Sequence, residues 1–167
     1  FAKSEIVPSN KDRFLRKETL QGFVHDEASA FFGGLAGNAG LFSTARDVAR
    51  VYQMLLNGGE IDGQRYLSKE TCQLFTTETS KISRRGLGFD KPDADDPKKG
   101  NCAPAAPAEV YGHTGFTGTC AWVDPVNELV YVFLSNRIYP DVTNRKLNQL
   151  HIRERIQGAI YDAMKKK

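Results

Sequence analysis

At 167 residues the chain has the length of about one domain, large enough for a real hydrophobic core. Hydrophobic residues make up 40% and charged residues 26%, as in ordinary globular proteins, and the net charge of +3, part of it in Lys165-Lys166-Lys167, gives no basic stripe for nucleic acid. The three cysteines, Cys72, Cys102 and Cys120, are widely spaced with no CxxC, which argues against zinc and a disulfide framework but leaves one bridge open.

Residues 1–30 are polar and irregular, with five charges between Lys11 and Lys17. Val24-His25-Asp26-Glu27 follows, and two readings stay open: a surface segment with a short helical piece, or a cleft lined by His25 and Asp26. Metal is disfavoured there, because three consecutive residues do not easily converge on one ion. From Phe31 to Phe42 the chain is rich in Gly and Ala with paired aromatics at its ends. It is neither GxGxxG nor a P-loop, so small residues packing tightly beside a core or cleft is the better account.

Thr44 opens the clearest helix, with Asp47 three residues on as in a capping box. Ala45, Val48, Val51, Tyr52, Leu55 and Leu56 share one face, and Asn57-Gly58-Gly59 ends it. Ser68 caps a second, shorter helix in which Cys72 is a packing residue. Arg85–Asp90 reads as a short strand, and residues 91–108 as a long mobile connection.

Tyr111-Gly112-His113-Thr114-Gly115-Phe116-Thr117-Gly118-Thr119 comes next, a histidine and three threonines among three glycines. Glycine lets backbone approach a ligand closely, and histidine has the side-chain pKa nearest working pH, so this resembles one wall of an active site. Cys120–Val123 and Leu129–Leu134 read as a hairpin beside Val110–His113, the second run as a strand covered on both faces. Residues 145–164 read as a helix with Leu147, Leu150, Ile152, Ile156, Ile160 and Met164 inward. The expected fold is α+β: a single domain over residues 1–167 with an antiparallel sheet and helices packed on its faces.

In this order the stretches Val24–Glu27, Gly33–Thr44, Asp47–Gly59 and Gly112–Gly118 resemble the C-terminal part of the serine β-lactamase and penicillin-binding-protein superfamily, in its esterase and D-aminopeptidase-like branch. The resemblance covers nearly the whole chain. Such enzymes use Ser-x-x-Lys, a Tyr-x-Asn or Ser-x-Asn, and Lys-Thr-Gly or His-x-Gly on an inner strand. Only the third is present here, as His113-Thr114-Gly115; no serine has lysine at the fourth position, and no tyrosine or serine has asparagine two positions on.

The resemblance implies that these residues are the C-terminal portion of a larger catalytic domain, inactive alone; Phe1 in place of an initiating Met also suggests a piece of something longer. It implies His113 and Thr114 as catalytic residues, Gly115, Phe116 and Thr117 as substrate-binding residues, and the Phe116 amide as one oxyanion donor. It implies no metal and no cofactor, a small-molecule or peptidoglycan-like substrate, and an extracytoplasmic or periplasmic setting that the residues themselves do not fix. Histidine in place of lysine removes a fixed positive charge, which favours an ester or small amide over a carboxylate-bearing lactam. Two rivals remain: a non-catalytic accessory or dimerisation module, expected to be monodisperse with a polar surface where a piece of a larger fold would self-associate through an exposed apolar face, and a cysteine hydrolase using Cys120 with His113 or His25.

Overall fold

The computed structural model describes residues 2–77, 80, 82–93, 95–96 and 100–165; Lys166 and Lys167 of the basic tail fall outside them. The centre is a three-stranded antiparallel sheet in the order β5 (Tyr111–Thr114), β6 (Cys120–Asp124), β7 (Leu129–Phe133). Register pairs His113 with Ala121 and Thr114 with Cys120, then Ala121 with Val132 and Trp122 with Tyr131. Every residue of β6 is buried. Alternation along the strand therefore divides its side chains between two covered faces.

One face carries Cys120, Trp122 and Tyr131, which cluster with Cys102 and Val110 and with Ile160 of α5 (Ile152–Met164). The other carries Tyr111, His113, Ala121 and Val123 and lies against α2 (Ala45–Leu56). Phe89 bridges the two elements there, its ring meeting Tyr52 at 6.3 Å and Tyr111 at 5.4 Å, both edge-on. The α+β class and helices on both faces of an antiparallel sheet are as the sequence leads one to expect.

The predicted end signals of α2 hold at both ends. The Thr44 hydroxyl accepts the Asp47 amide at 3.1 Å and meets the Asp47 carboxylate at 2.8 Å. At the other end Gly59 N–H donates to Met54 O (2.8 Å) and Gly58 N–H to Leu55 O (3.0 Å), the paired bonds of a Schellman motif. Both glycines have positive φ, and a Cβ on Gly59 would lie 2.2 Å from Leu67 O. After the small hairpin β3 (Glu60–Ile61) and β4 (Gln64–Arg65), Ser68 caps α3 (Lys69–Thr76) through the Thr71 amide, with Cys72 buried.

Several expectations need correction. Arg85–Asp90 is not a strand: Gly88 takes φ 93° and only Asp90 keeps a bridge, to Gly112. The connection after it is anchored where it is described, with Cys102 and Ala103 each 2% exposed and Ala103 N–H donating to Gln157 Oε1 at 2.8 Å; residues 94 and 97–99 fall outside the described set. Strand β7 is an edge strand with only Tyr131 fully buried, not covered throughout.

The last helix is two, α4 (Lys146–Gln149) and α5, divided at His151 with φ 49°. The buried stripe of α5 is Arg153, Gln157 and Tyr161, while Leu150, Ile156 and Met164 are exposed. The stripe is buried because each member has a polar partner: Arg153 reaches Thr119 O, Gln157 holds Ala103 and Tyr161 O–H donates to Asp124. All three cysteines are buried and free, so no bridge forms.

The N-terminal region holds a hairpin that periodicity gives no sign of, β1 (Pro8–Lys11) with β2 (Thr19–Gln21). Its turn is built on Asp12, which accepts the amides of Phe14, Leu15 and Arg16. Asp26 then caps the short α1 (Glu27–Phe31). In the segment that follows, a Cβ on Gly40 would lie 2.2 Å from Gly34 O, so these backbones meet as only glycine allows.

Candidate active site

β5 is the other edge of the sheet. Gly112 exchanges both backbone bonds with Asp90 across that edge, Asp90 N–H to Gly112 O at 2.7 Å and Gly112 N–H to Asp90 O at 3.0 Å. By the alternation of an antiparallel strand, the backbone of Thr114 turns to the same side, beyond the point where Asp90 covers it. Asp90 is 1% exposed and fixed by Arg84 (2.8 Å) and Asn101 (2.9 Å). Burial by itself would raise its pKa; the hydrogen bonds from Arg84 and Asn101 outweigh that and hold it below the ordinary carboxylate value.

His113 Nδ1 lies 2.7 Å from Thr114 O. A carbonyl oxygen can only accept, so Nδ1 carries the proton. In the neutral ring Nε2 then holds the lone pair, which is the form that can take a proton from a neighbour. The sequence-predicted pair is thus coupled: the strand-edge carbonyl of one residue fixes the tautomer of the other.

The chain then turns sharply. Gly118 N–H donates to Gly115 O at 2.9 Å and Gly115 N–H to Thr119 O at 2.8 Å. These bonds use the amides of Gly115 and Gly118 and not that of Phe116, which stands at the second position of the turn. A Cβ on Gly115 would lie 2.3 Å from Thr119 Oγ1, and one on Gly118, at φ 101°, 2.5 Å from Ser135 Oγ. Arg137 N–H donates to Thr117 O at 2.9 Å. Thr114, Gly115 and Thr117 are half-buried and Phe116 is exposed, so the predicted substrate-binding residues form one accessible corner.

Two neighbours complete this corner: Arg137, which no sequence pattern singles out, and His25, one of the two residues named in the cleft reading of Val24–Glu27. The Arg137 guanidinium lies 4.8 Å over the Phe116 ring, and its Nη1 donates to Val142 O and Asn144 O. Burial lowers its pKa, and the nearby charges of Arg145 and Arg153 lower it further. The second neighbour is His25, whose ring stacks on Phe116. Asp26, its chain neighbour, is a helix cap that accepts from Ser29 N–H at 2.7 Å and not a second wall of a cleft. Nothing in a linear pattern joins His25 or Arg137 to Phe116.

Cys120 is no nucleophile in this arrangement. It pairs with Thr114, which puts its side chain on the α5 face of the sheet, opposite His113. It is 3% exposed, and burial pushes its thiol up to about 11.

The family model for Beta-lactamase matches residues 6–154. The chain belongs to the beta-lactamase family. It is 37% identical over 135 residues to proteins described as "Putative D-alanyl-D-alanine carboxypeptidase" from Escherichia coli (strain K12) and Salmonella agona (strain SL483), each match covering 80% of this chain and 31% of the relative. The same identity and coverage hold for the Salmonella typhi protein of that description. The chain therefore spans about a third of the length of these relatives.

Proposed function

We propose that the chain supplies the His-Thr-Gly wall of an acyl-enzyme serine hydrolase that cleaves an ester, amide or lactam. The nucleophile would come from a Ser-x-x-Lys segment outside these 167 residues, in the length by which the relatives exceed this chain, so the chain alone would not turn over substrate. In this reading the serine attacks the carbonyl carbon and its proton passes to a neighbouring base. The tetrahedral oxyanion accepts from two N–H groups, that of the serine and that of Phe116. His113 Nε2, which holds a lone pair, takes up the serine proton from the base and returns it to the leaving group, while Thr114, Gly115 and Thr117 line the substrate.

The observation that carries this reading is the His113–Thr114 contact at an open sheet edge, next to a turn in which the Phe116 amide has no partner among the described residues. Histidine supplies no fixed charge for a substrate carboxylate, which favours an ester or small amide. Arg137 supplies one close by, however, over the Phe116 ring. A peptide ending in a carboxylate, as the names of the relatives suggest, therefore stays within the substrate class.

The reading is tested by joining the chain to the Ser-x-x-Lys segment of a family member and adding a chromogenic ester or a D-alanyl-D-alanine peptide. A stoichiometric burst of product is expected from the joined protein and none from residues 1–167 alone. A burst from the isolated chain that survives Ser→Ala changes throughout would overturn both the missing nucleophile and the assigned wall.

A second observation supports the reading as a piece of a larger fold: Phe31, Phe32, Leu35 and Leu41 are 78–86% exposed within one segment. Apolar surface of this kind marks an association site. Self-association of the chain, measured by sedimentation velocity and lost on replacing these residues, is expected of such a piece; a monodisperse chain, with a joined protein that stays inactive, would favour the alternative of a non-catalytic accessory or dimerising module.

A further inference from the structure

His25 belongs to a stretch singled out by its sequence and left without a role by the chemistry above. Its ring lies parallel to that of Phe116, centroids 5.1 Å apart and planes 7° apart. Phe116 itself is 59% exposed and stands on a turn between two glycines, where a side chain has little else to hold it. The guanidinium of Arg137 is its other neighbour, 4.8 Å from the ring centroid.

His25 is fixed by the hairpin before it. Arg16 Nη1 donates to Val24 O at 3.0 Å and Nη2 to His25 O at 2.8 Å, while Nε pairs with Asp12 Oδ2 at 2.5 Å. Asp12 is 5% exposed and already holds three turn amides, so Arg16 is anchored to a rigid base. On the other side Asp26 is tied to the first turn of α1. The backbone of His25 is thus held from both neighbours, and its ring projects onto Phe116.

We propose that His25 is a positioning residue for the Phe116 amide: the stacked ring fixes the phenyl group, and through it the peptide plane whose N–H faces the substrate. The proposal rests on the reading of that N–H as an oxyanion donor. Donors act by being aimed in advance, and a displacement of about 1 Å can cost about 100-fold in rate. The chemistry of the ring suits the place. His25 Nδ1 is buried with no hydrogen-bond partner among the described residues. Burial, then the charge of Arg16, lowers its pKa. A neutral ring can lie on Phe116 without bringing a second cation beside Arg137.

The test is ¹⁵N relaxation on the 167-residue chain, which needs no turnover. Order parameters of residues 115–118 are expected near 0.85 in the unchanged chain, below about 0.6 in His25→Ala, and near 0.85 again in His25→Phe, which keeps the stack. A general loss of stability would lower the melting temperature without this local pattern or its rescue. A second signature does not require His25→Ala to fold: the His25 ring protons should be shifted upfield by the Phe116 ring, unlike those of exposed His151, and lose that shift in Phe116→Leu. Unchanged order parameters in a folded His25→Ala chain, no rescue by His25→Phe, or His25 protons indifferent to Phe116→Leu would each overturn the proposal. None of these readouts depends on catalysis, so failure of the hydrolase reading would show separately, in the burst experiment.

Discussion

Strand β6 and the segment from Phe31 to Phe42 are both rich in apolar and small residues, yet all five residues of β6 are buried while Phe31, Phe32, Leu35 and Leu41 stand 78–86% exposed. The difference lies in what each backbone leaves for its side chains to meet. β6 is paired on both edges and covered on both faces, so each side chain meets a residue distant in sequence. The glycine-rich segment closes on itself: Ala36 and Ala39 bond reciprocally, and Gly34 and Gly40 touch backbone to backbone. Its aromatic residues are left pointing outward. One region is a finished core, the other an apolar surface left exposed. The candidate site lies beside the first of them, where Phe116 of the turn between β5 and β6 meets His25 of the polar N-terminal region.

The contrast is broken most severely at its buried end. Trp122→Ala removes a ring that is 1% exposed and should cost about 3–5 kcal/mol of stability, read from denaturant unfolding. Next is Gln157→Leu, which leaves the Ala103 N–H buried and unpaired. A loss of about 1–3 kcal/mol is expected in the same measurement. At the exposed end, Phe31→Ser, Phe32→Ser, Leu35→Ser and Leu41→Ser should each change stability by no more than about 0.5 kcal/mol, while together they abolish concentration-dependent association in sedimentation velocity. A large stability loss from these four would mean that the segment is already part of a core.

The smallest expected effect is a pH dependence at the seam. The pKa of His25 is lowered in the folded chain, so between that value and the ordinary 6.5 the unfolded chain binds more protons. Its contribution to stability is complete above about pH 6.5 and is lost as pH falls through the folded value. The thermal midpoint of the unchanged chain should therefore fall more steeply than that of His25→Phe as pH drops below about 6.5. Parallel curves would show that burial of His25 does not oppose its protonation.

Much of this architecture is legible in the sequence, for physical reasons that differ by element. α2 has three concordant signals: a hydroxyl cap, one apolar face and a double-glycine stop. The strand order follows from two apolar runs joined by a turn on Asp124, which accepts the Val126 and Asn127 amides. The β1–β2 hairpin is invisible because its buried positions include Ser9 and Asn10, with Ser9 held by Phe23 O. The inward face of α5 is misread because apolar residues are assumed to be inside, while Arg153, Gln157 and Tyr161 carry the long-range hydrogen bonds. At the site, the His-Thr-Gly signature marks the edge, since glycines around a histidine are needed for that turn. The contacts of His25 and Arg137 with Phe116 are made by tertiary packing, which no spacing encodes.

In the proposed hydrolase the Phe116 amide faces the substrate carbonyl, and two substitutions at this position test that most directly. In the polypeptide joined to a Ser-x-x-Lys segment, Phe116→Tyr keeps both the N–H and the stacked ring, while Phe116→Pro removes the N–H at a turn position where proline fits. Single-turnover acylation should slow about 10²–10³-fold in Phe116→Pro and stay near that of the unchanged polypeptide in Phe116→Tyr. Equal rates in the two variants would show that this N–H takes no part in stabilising the oxyanion, and would contradict the account.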